Sequence, residues 1–114
     1  MSLSFYSINA QGLKNVKSKV NILKLISMFK PSILCVQETN IDPFIDSKIT
    51  VPNYSSHYNP PTSKFSGTVI FCSASVTVLS SKNLVEGKLQ ALNIYHANGE
   101  YLIINIHMPH NIQT

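Results

Sequence analysis

Three short polar stretches stand where apolar runs stop: Asn9 after S-F-Y-S-I, Gln37-Glu38 after S-I-L-C-V, and Asn105-Ile106-His107 at the end of Y-L-I-I-N-I-H. Glu38 is the first carboxylate in the chain. A carboxylate at a strand exit suits a hard cation such as Mg²⁺, which takes one or two carboxylates together with waters and substrate phosphate. Asn9 offers a neutral amide that could orient a water of that cation or a phosphate oxygen. His107 could donate to a phosphate oxygen or shuttle a proton. Each residue also has a purely structural reading. Asn9 could close the turn after its strand, Glu38 could be an ordinary solvated carboxylate, and His107 could be a hydrogen-bonded structural histidine. Gly67 either permits close strand packing or merely starts a strand. His57, His96 and His110 share no metal-ligand spacing with one another or with the cysteines, so nothing in their pattern suggests zinc. No phosphate-binding loop, G-x-S-x-G or dinucleotide fingerprint is present.

These residues need elements to hold them. S-L-S-F-Y-S-I (2–8) reads as a strand that stops at the turn-rich Asn9-Ala10-Gln11-Gly12. Val16, Val20, Leu23 and Ile26 then form one stripe of a helix, with Asn15 as its N-cap and Lys30-Pro31 as its stop. Residues 32–37 (S-I-L-C-V-Q) read as a buried strand. Strand, helix, strand is a βαβ opening, right-handed if the strands are parallel. In such an opening the chemistry lies just past the carboxyl ends of the strands, where Asn9 and Gln37-Glu38 stand. Beyond Glu38 the text is loop-like to Pro52, with a turn at Asp42-Pro43. A short strand follows at Tyr54–Tyr58, and a loop around Pro60-Pro61. Residues 67–73 and 76–80 read as neighbouring strands joined by a short turn, with 81–88 as a connection. Residues 89–97 and 100–107 form a hairpin about Asn98-Gly99, because a type I′ turn needs positive φ at both central positions. Y-L-I-I-N-I is apolar on both faces and so reads as a central strand.

Composition bounds the function. The chain has 114 residues, 44% hydrophobic and 12% charged, enough for the core of one domain and too apolar for intrinsic disorder. No apolar run reaches the ~18 residues of a membrane span, and the start lacks the basic segment and cleavage site of a secretory signal. Cys35 and Cys72 lie in apolar runs and read as buried thiols of a reducing, intracellular compartment, nucleus or cytoplasm. Five of the nine lysines fall before Glu38 and there is no arginine. That basic opening fits a polyanion held by point-charge contacts to phosphate, and equally a solvated helix face.

S-I-N-A-Q-G-L, the lysine-bearing helix, P-S-I-L-C-V-Q-E-T, G-T-V-I-F and Y-L-I-I-N-I-H-M-P-H, in that order, resemble the endonuclease/exonuclease/phosphatase superfamily. Within it the likeness is greatest to the apurinic-endonuclease-like domain of non-LTR (LINE-type) retrotransposons. The resemblance implies an α/β fold, the first half of a four-layer α/β sandwich of the DNase I type, with a mixed sheet and an antiparallel hairpin. It implies phosphodiester hydrolysis dependent on Mg²⁺ or Mn²⁺, with the phosphate backbone of DNA as partner. By resemblance Asn9 and Glu38 hold the metal and the scissile phosphate, His107 contacts phosphate, and Gln37 and Asn105 support them. His107 stands where LINE-type enzymes carry tyrosine and other branches histidine. Gly87-Lys88 stands for Gly-Arg, and His110 for asparagine.

The superfamily's Asp-x-Asn strand, later aspartate and terminal Ser-Asp-His have no counterpart within residues 1–114. The whole chain is therefore expected to be a partial domain, inactive alone. Its inner sheet face, lined by V-I-F-C and L-I-I-N-I, is expected to lack a partner sheet and to drive self-association. Two other readings stay open. One is a catalytically dead remnant with weak nucleic-acid binding; the other is a phosphodiesterase of the same fold acting on phosphoinositide or sphingomyelin.

Overall fold

The computed structural model describes residues 2–41, 49–63 and 66–108. The expected Asp42-Pro43 turn and His110 lie outside these residues. Strand β1 (Phe5–Asn9), helix α1 (Val16–Phe29) and strand β2 (Ile33–Gln37) open the chain, and β1 pairs with β2 in parallel. The βαβ expectation is met. The capping chemistry is local: Asn15 Oδ1 accepts the Lys17 N–H at 2.8 Å. At the other end Lys30 adopts a left-handed backbone and donates its N–H to Ile26 O at 2.8 Å, and Pro31 prevents continuation.

Strands β3 (Tyr54–Asn59) and β4 (Thr68–Ser73) complete a four-stranded mixed sheet of order β1-β2-β4-β3. Strands β5 (Thr77–Val85), β6 (Leu89–His96) and β7 (Gly99–Ile106) form a second, antiparallel sheet in sequence order. Alternation along β2 and β4 explains the layering. Leu34, Val36, Val69 and Phe71 pack beneath Ile22 and Ile26 of the helix. Ile33, Cys35, Ile70 and Cys72 face the other way, onto Leu92, Ile94 and Ile103 of the second sheet. Helix, sheet and sheet are thus three layers of an α/β sandwich.

Several expectations change. The runs V-I-F-C and L-I-I-N-I do not lack a partner sheet, because Ile70, Cys72 and Ile103 pack against each other's sheets within this chain. The exposed apolar surface is instead the outer face of the second sheet, where Leu102 is 61% exposed and Ile104 and Ile106 are also exposed. β7 pairs only with β6 among the described residues, so it is an edge strand, not a central one. β4 and β5 do not neighbour one another; the turn at Ala74–Val76 carries the chain from one sheet to the other. β5 runs on to Val85 through two irregularities in its pairing with β6, which hide its alternation in the sequence. The buried face of α1 is Ile22 and Ile26, whereas Val16 is 72% exposed. The helix is rolled by roughly a third of a turn from the stripe expected.

The hairpin is centred one residue earlier than Asn98-Gly99. His96 pairs with Gly99, and the two residues with positive φ are Ala97 (48°) and Asn98 (69°), the type I′ geometry shifted by one. A Cβ in the left-handed region costs an L residue about 1 kcal/mol, and alanine has no side chain to offset it. Ala97→Asn should therefore raise stability by ~0.5–1 kcal/mol, read from denaturant unfolding; a loss would show that the turn is not centred there. Burial pushes the Cys35 thiol up to about 12, with the neighbouring Cys72 adding to it, and burial pushes Cys72 up to about 12 as well. The fold favours the neutral thiols, so their contribution is complete below the ordinary value of 9.0 and is lost as pH rises toward 12. Stability should fall by about 1 kcal/mol per thiol by pH 10. A Cys35→Ala/Cys72→Ala double variant should lose that part of the alkaline decline.

Candidate functional site

The carboxyl ends of β1 and β2 lie side by side, with Asn9 opposite Gln37 in the parallel register. The turn after β1 is tied to the segment after β2 by three backbone bonds. Ala10 N–H donates to Gln37 O at 2.9 Å, Gly12 N–H to Glu38 O at 2.7 Å and Leu13 N–H to Thr39 O at 2.8 Å. From the other side, Thr39 N–H donates to Gly67 O at 3.1 Å and Asn40 N–H to Ser66 O at 2.9 Å. Glu38 sits between these clamps with a φ of 55°, a left-handed backbone that a non-glycine residue adopts only where its surroundings impose it. Its side chain is 5% exposed, which excludes the reading of an ordinary solvated carboxylate.

Gly67 is required by the segment after β2 and not by strand packing. Its φ is 98°, and a Cβ there would run into the Thr39 hydroxyl. The N-A-Q-G-L turn and the glycine before β4 therefore shape one small region of backbone around Glu38. Three buried oxygens in it make no hydrogen bond: Glu38 Oε2, Thr39 Oγ1 and Thr68 Oγ1. The Glu38 residue does make a further interaction of its own.

A chain of amides, with Asn105 and Gln90 buried, joins this end of the first sheet to the second. Gln37 Nε2 donates to Asn105 Oδ1 at 2.8 Å and to Ser7 Oγ at 3.0 Å. The two hydrogens of Asn105 Nδ2 are shared among three acceptors: the carbonyls of Val36 and Val69, at 3.2 and 3.1 Å, and Gln90 Oε1 at 3.0 Å. Gln90 Nε2 donates in turn to His57 O at 3.0 Å. Asn105 and Gln90 are fully enclosed, where an unmade hydrogen bond costs about 1–3 kcal/mol. Burial of His57 lowers the pKa of its ring, and the relay uses only its carbonyl.

The structure thus joins Gln37 and Asn105 by a direct bond, sets Asn9 opposite Gln37, and places Glu38 next along the chain. His107 follows two residues after Asn105, is 8% exposed, and donates its backbone N–H to Lys88 O at 2.8 Å. No contact of its imidazole with Asn9 or Glu38 is seen. Asn9 also serves the turn: its Oδ1 accepts the Gln11 N–H at 3.0 Å. Gln90 was not anticipated, although a glutamine sharing the parity of Leu92 and Ile94 on a strand signals a buried partner.

Among the described residues no three His, Cys, Asp or Glu side chains cluster to hold a metal. The oxygen donors at hand are one buried carboxylate and the amides beside it. That set fits a hard cation that completes its shell with water and substrate oxygens, and it does not fit zinc. Lys14, Lys17, Lys19, Lys24 and Lys30 lie on or beside α1, mostly exposed, and no helix of the described residues is long and apolar enough to cross a membrane.

The chain is similar in fold to several solved structures. The AP endonuclease LMAP from Leishmania major superposes with a TM-score of 0.73 at 20% identity, covering 92% of this chain and 40% of that one. The catalytic domain of Xenopus laevis APE2 gives 0.72 at 17% identity, covering 94% and 45%. TDP2 from D. rerio, complexed with single-strand DNA product, gives 0.64 at 14% identity, covering 90% and 44%. The chain therefore spans less than half the length of each of these three chains. No curated protein matches it. The sequence profile of the endonuclease/exonuclease/phosphatase family matches residues 6–112, and the chain belongs to that family.

Proposed function

We propose that this chain forms the phosphate- and cation-handling half of a divalent-metal-dependent phosphodiester hydrolase that nicks DNA, of the kind carried by retrotransposon polyproteins. The observation that carries the reading is Glu38: a nearly buried carboxylate held in a left-handed backbone between two hydrogen-bonded clamps. A left-handed backbone at a non-glycine residue costs about 1 kcal/mol, and the two clamps hold Glu38 in it. Glu38 would hold Mg²⁺ or Mn²⁺, with Asn9 beside it. When bound, the ion supplies a Lewis acid for the scissile phosphate.

The chain's own residues do the rest. Asn9 orients a phosphate oxygen, His107 offers a donor from the other sheet, and Gln37 and Asn105 hold the two sheets in register beneath them. The lysines of α1 attract the polyanion and make binding fall steeply with salt. DNA as partner is supported by that basic helix and by the likeness in fold to TDP2 bound to a DNA product. An intracellular setting, nucleus or cytoplasm, is supported by two buried free thiols.

The partial-domain reading gives a direct test. The 114-residue chain should bind duplex DNA weakly and show no turnover with Mg²⁺ or Mn²⁺. A longer polypeptide that continues into the second half of the family's domain should nick supercoiled plasmid. In it Glu38→Gln should lower the rate by roughly a hundredfold or more while leaving the unfolding transition in place. Equal nicking by both would remove Glu38 from the mechanism.

A further inference from the structure

We infer that Asn59, the last residue of β3, is a positioning residue for nucleic-acid binding: it closes the turn that joins β5 to β6 and so delivers Lys88 as a phosphate contact. The inference rests on the reading of DNA as partner above and adds a cation that the basic helix does not supply.

Asn59 lies two strands away from β2: it stands opposite Thr68, which in turn stands opposite Gln37. It is fully buried, and its side chain is committed to one turn. Gly87 N–H donates to its Oδ1 at 2.9 Å. Its Nδ2 donates to the carbonyls of Val85 and Leu89, at 3.0 and 3.3 Å. A single amide thus holds the turn before, at and after its glycine, and the backbone partners fix which way it points. The glycine has no substitute there. Its φ is 72°, and a Cβ would lie 3.1 Å from both Pro60 O and Thr62 N. Gly87 O accepts the Gly67 N–H at 2.8 Å, and Gly67 O accepts the Thr39 N–H at 3.1 Å. Gly67 alone therefore links the turn to the segment after β2.

The next residue carries the charge. Lys88 O accepts the His107 N–H at 2.8 Å, which extends the β6–β7 pairing by one step beyond Leu89 and Ile106. Directly paired residues share a face. Alternation from Gln90 and Asn105 sets Lys88 and His107 on the face turned to the first sheet. Lys88 is exposed, and no described residue pairs with its ammonium. Lys82 differs, because it pairs with Ala91 on the outer face, where Ile104 lies. An ammonium is a point charge, so the partner that fits Lys88 is a backbone phosphate, bound whatever the base. A lysine on a fixed turn has less freedom to lose on binding than one on a mobile turn. That saving is what Asn59 contributes.

Titration of the chain with a short DNA duplex over a range of salt, without metal, tests this. Lys88→Gln should weaken binding about threefold to tenfold at low salt and lower the slope of log affinity against log salt by about one. Lys82→Gln, on the outer face, should leave that slope in place. Gly87→Ala keeps Lys88 but crowds the turn, so it should weaken binding as Lys88→Gln does. The double variant should bind no more weakly than Lys88→Gln alone. Asn59→Ala should follow the same pattern, and exchange at the Gly87 amide, slow in the parent chain, should become fast while the amides of β2 and β4 stay protected. Gly87→Ala reads the same turn with Asn59 in place, so the test stands even where Asn59→Ala fails to fold. Unchanged affinity and slope in Lys88→Gln, or a loss in Gly87→Ala that adds in full to that of Lys88→Gln, would overturn the inference and leave DNA as partner. A chain that binds no duplex at low salt would overturn both.

Discussion

The structure depends on one buried amide. Asn105 sits on the second sheet and donates to the backbone of two strands of the first, Val36 on β2 and Val69 on β4. It also accepts from Gln37, the last residue of β2. Apolar contact alone would hold the two sheets together, but it is non-directional and would let them slide. A set of enclosed hydrogen bonds has one geometry, because each unmade bond would leave a buried polar group unsatisfied. The hydrophobic layer between the sheets supplies attraction, and the amides set the register at one end. That end is where β1 and β2 finish and where Glu38 stands.

The same arrangement explains why so few residues build the candidate site. The N-A-Q-G-L turn supplies N–H groups to the carbonyls of Gln37, Glu38 and Thr39, and the segment before β4 supplies carbonyls to the next two N–H groups. Glu38 is left-handed because both neighbours of its backbone are already committed. Gly67 is required because the Thr39 hydroxyl occupies the space of a Cβ. The fold thus places a buried carboxylate and a chain of amides at one end of the sandwich, with the lysine-bearing helix as its outer layer.

Much of this was legible in the residues, for identifiable reasons. Asn15 and Lys30-Pro31 bound the helix because capping is local chemistry, and the parallel opening follows from the order of elements. Glu38 and Gln37 stand out as polar residues that abruptly end an apolar run. What escaped depends on tertiary packing. The roll of α1 is set by the sheet beneath it, not by its own stripe of Val16, Val20 and Leu23. The irregular pairing within β5 breaks the alternation by which a strand is recognised, so residues 81–85 looked like a connection. Ala97 and Asn98 form the hairpin turn because His96 and Gly99 pair, which displaced the expected Asn-Gly centre by one residue. The outer face of β7 misled differently: an apolar face implies burial, and among the described residues nothing covers it. Gln90 escaped because a single glutamine in a strand declares its partner only when the facing residue is known.

The central claim is that the amide relay, more than the apolar layer, fixes the site end of the two sheets. A double-mutant cycle between Gln90→Leu and Asn105→Leu, measured by equilibrium unfolding, tests it most directly. The account predicts a coupling of about 1–3 kcal/mol, since once one member of the relay is gone the other loses much of its worth. Additive losses, with coupling below ~0.5 kcal/mol, would show that the two amides act independently and would contradict it.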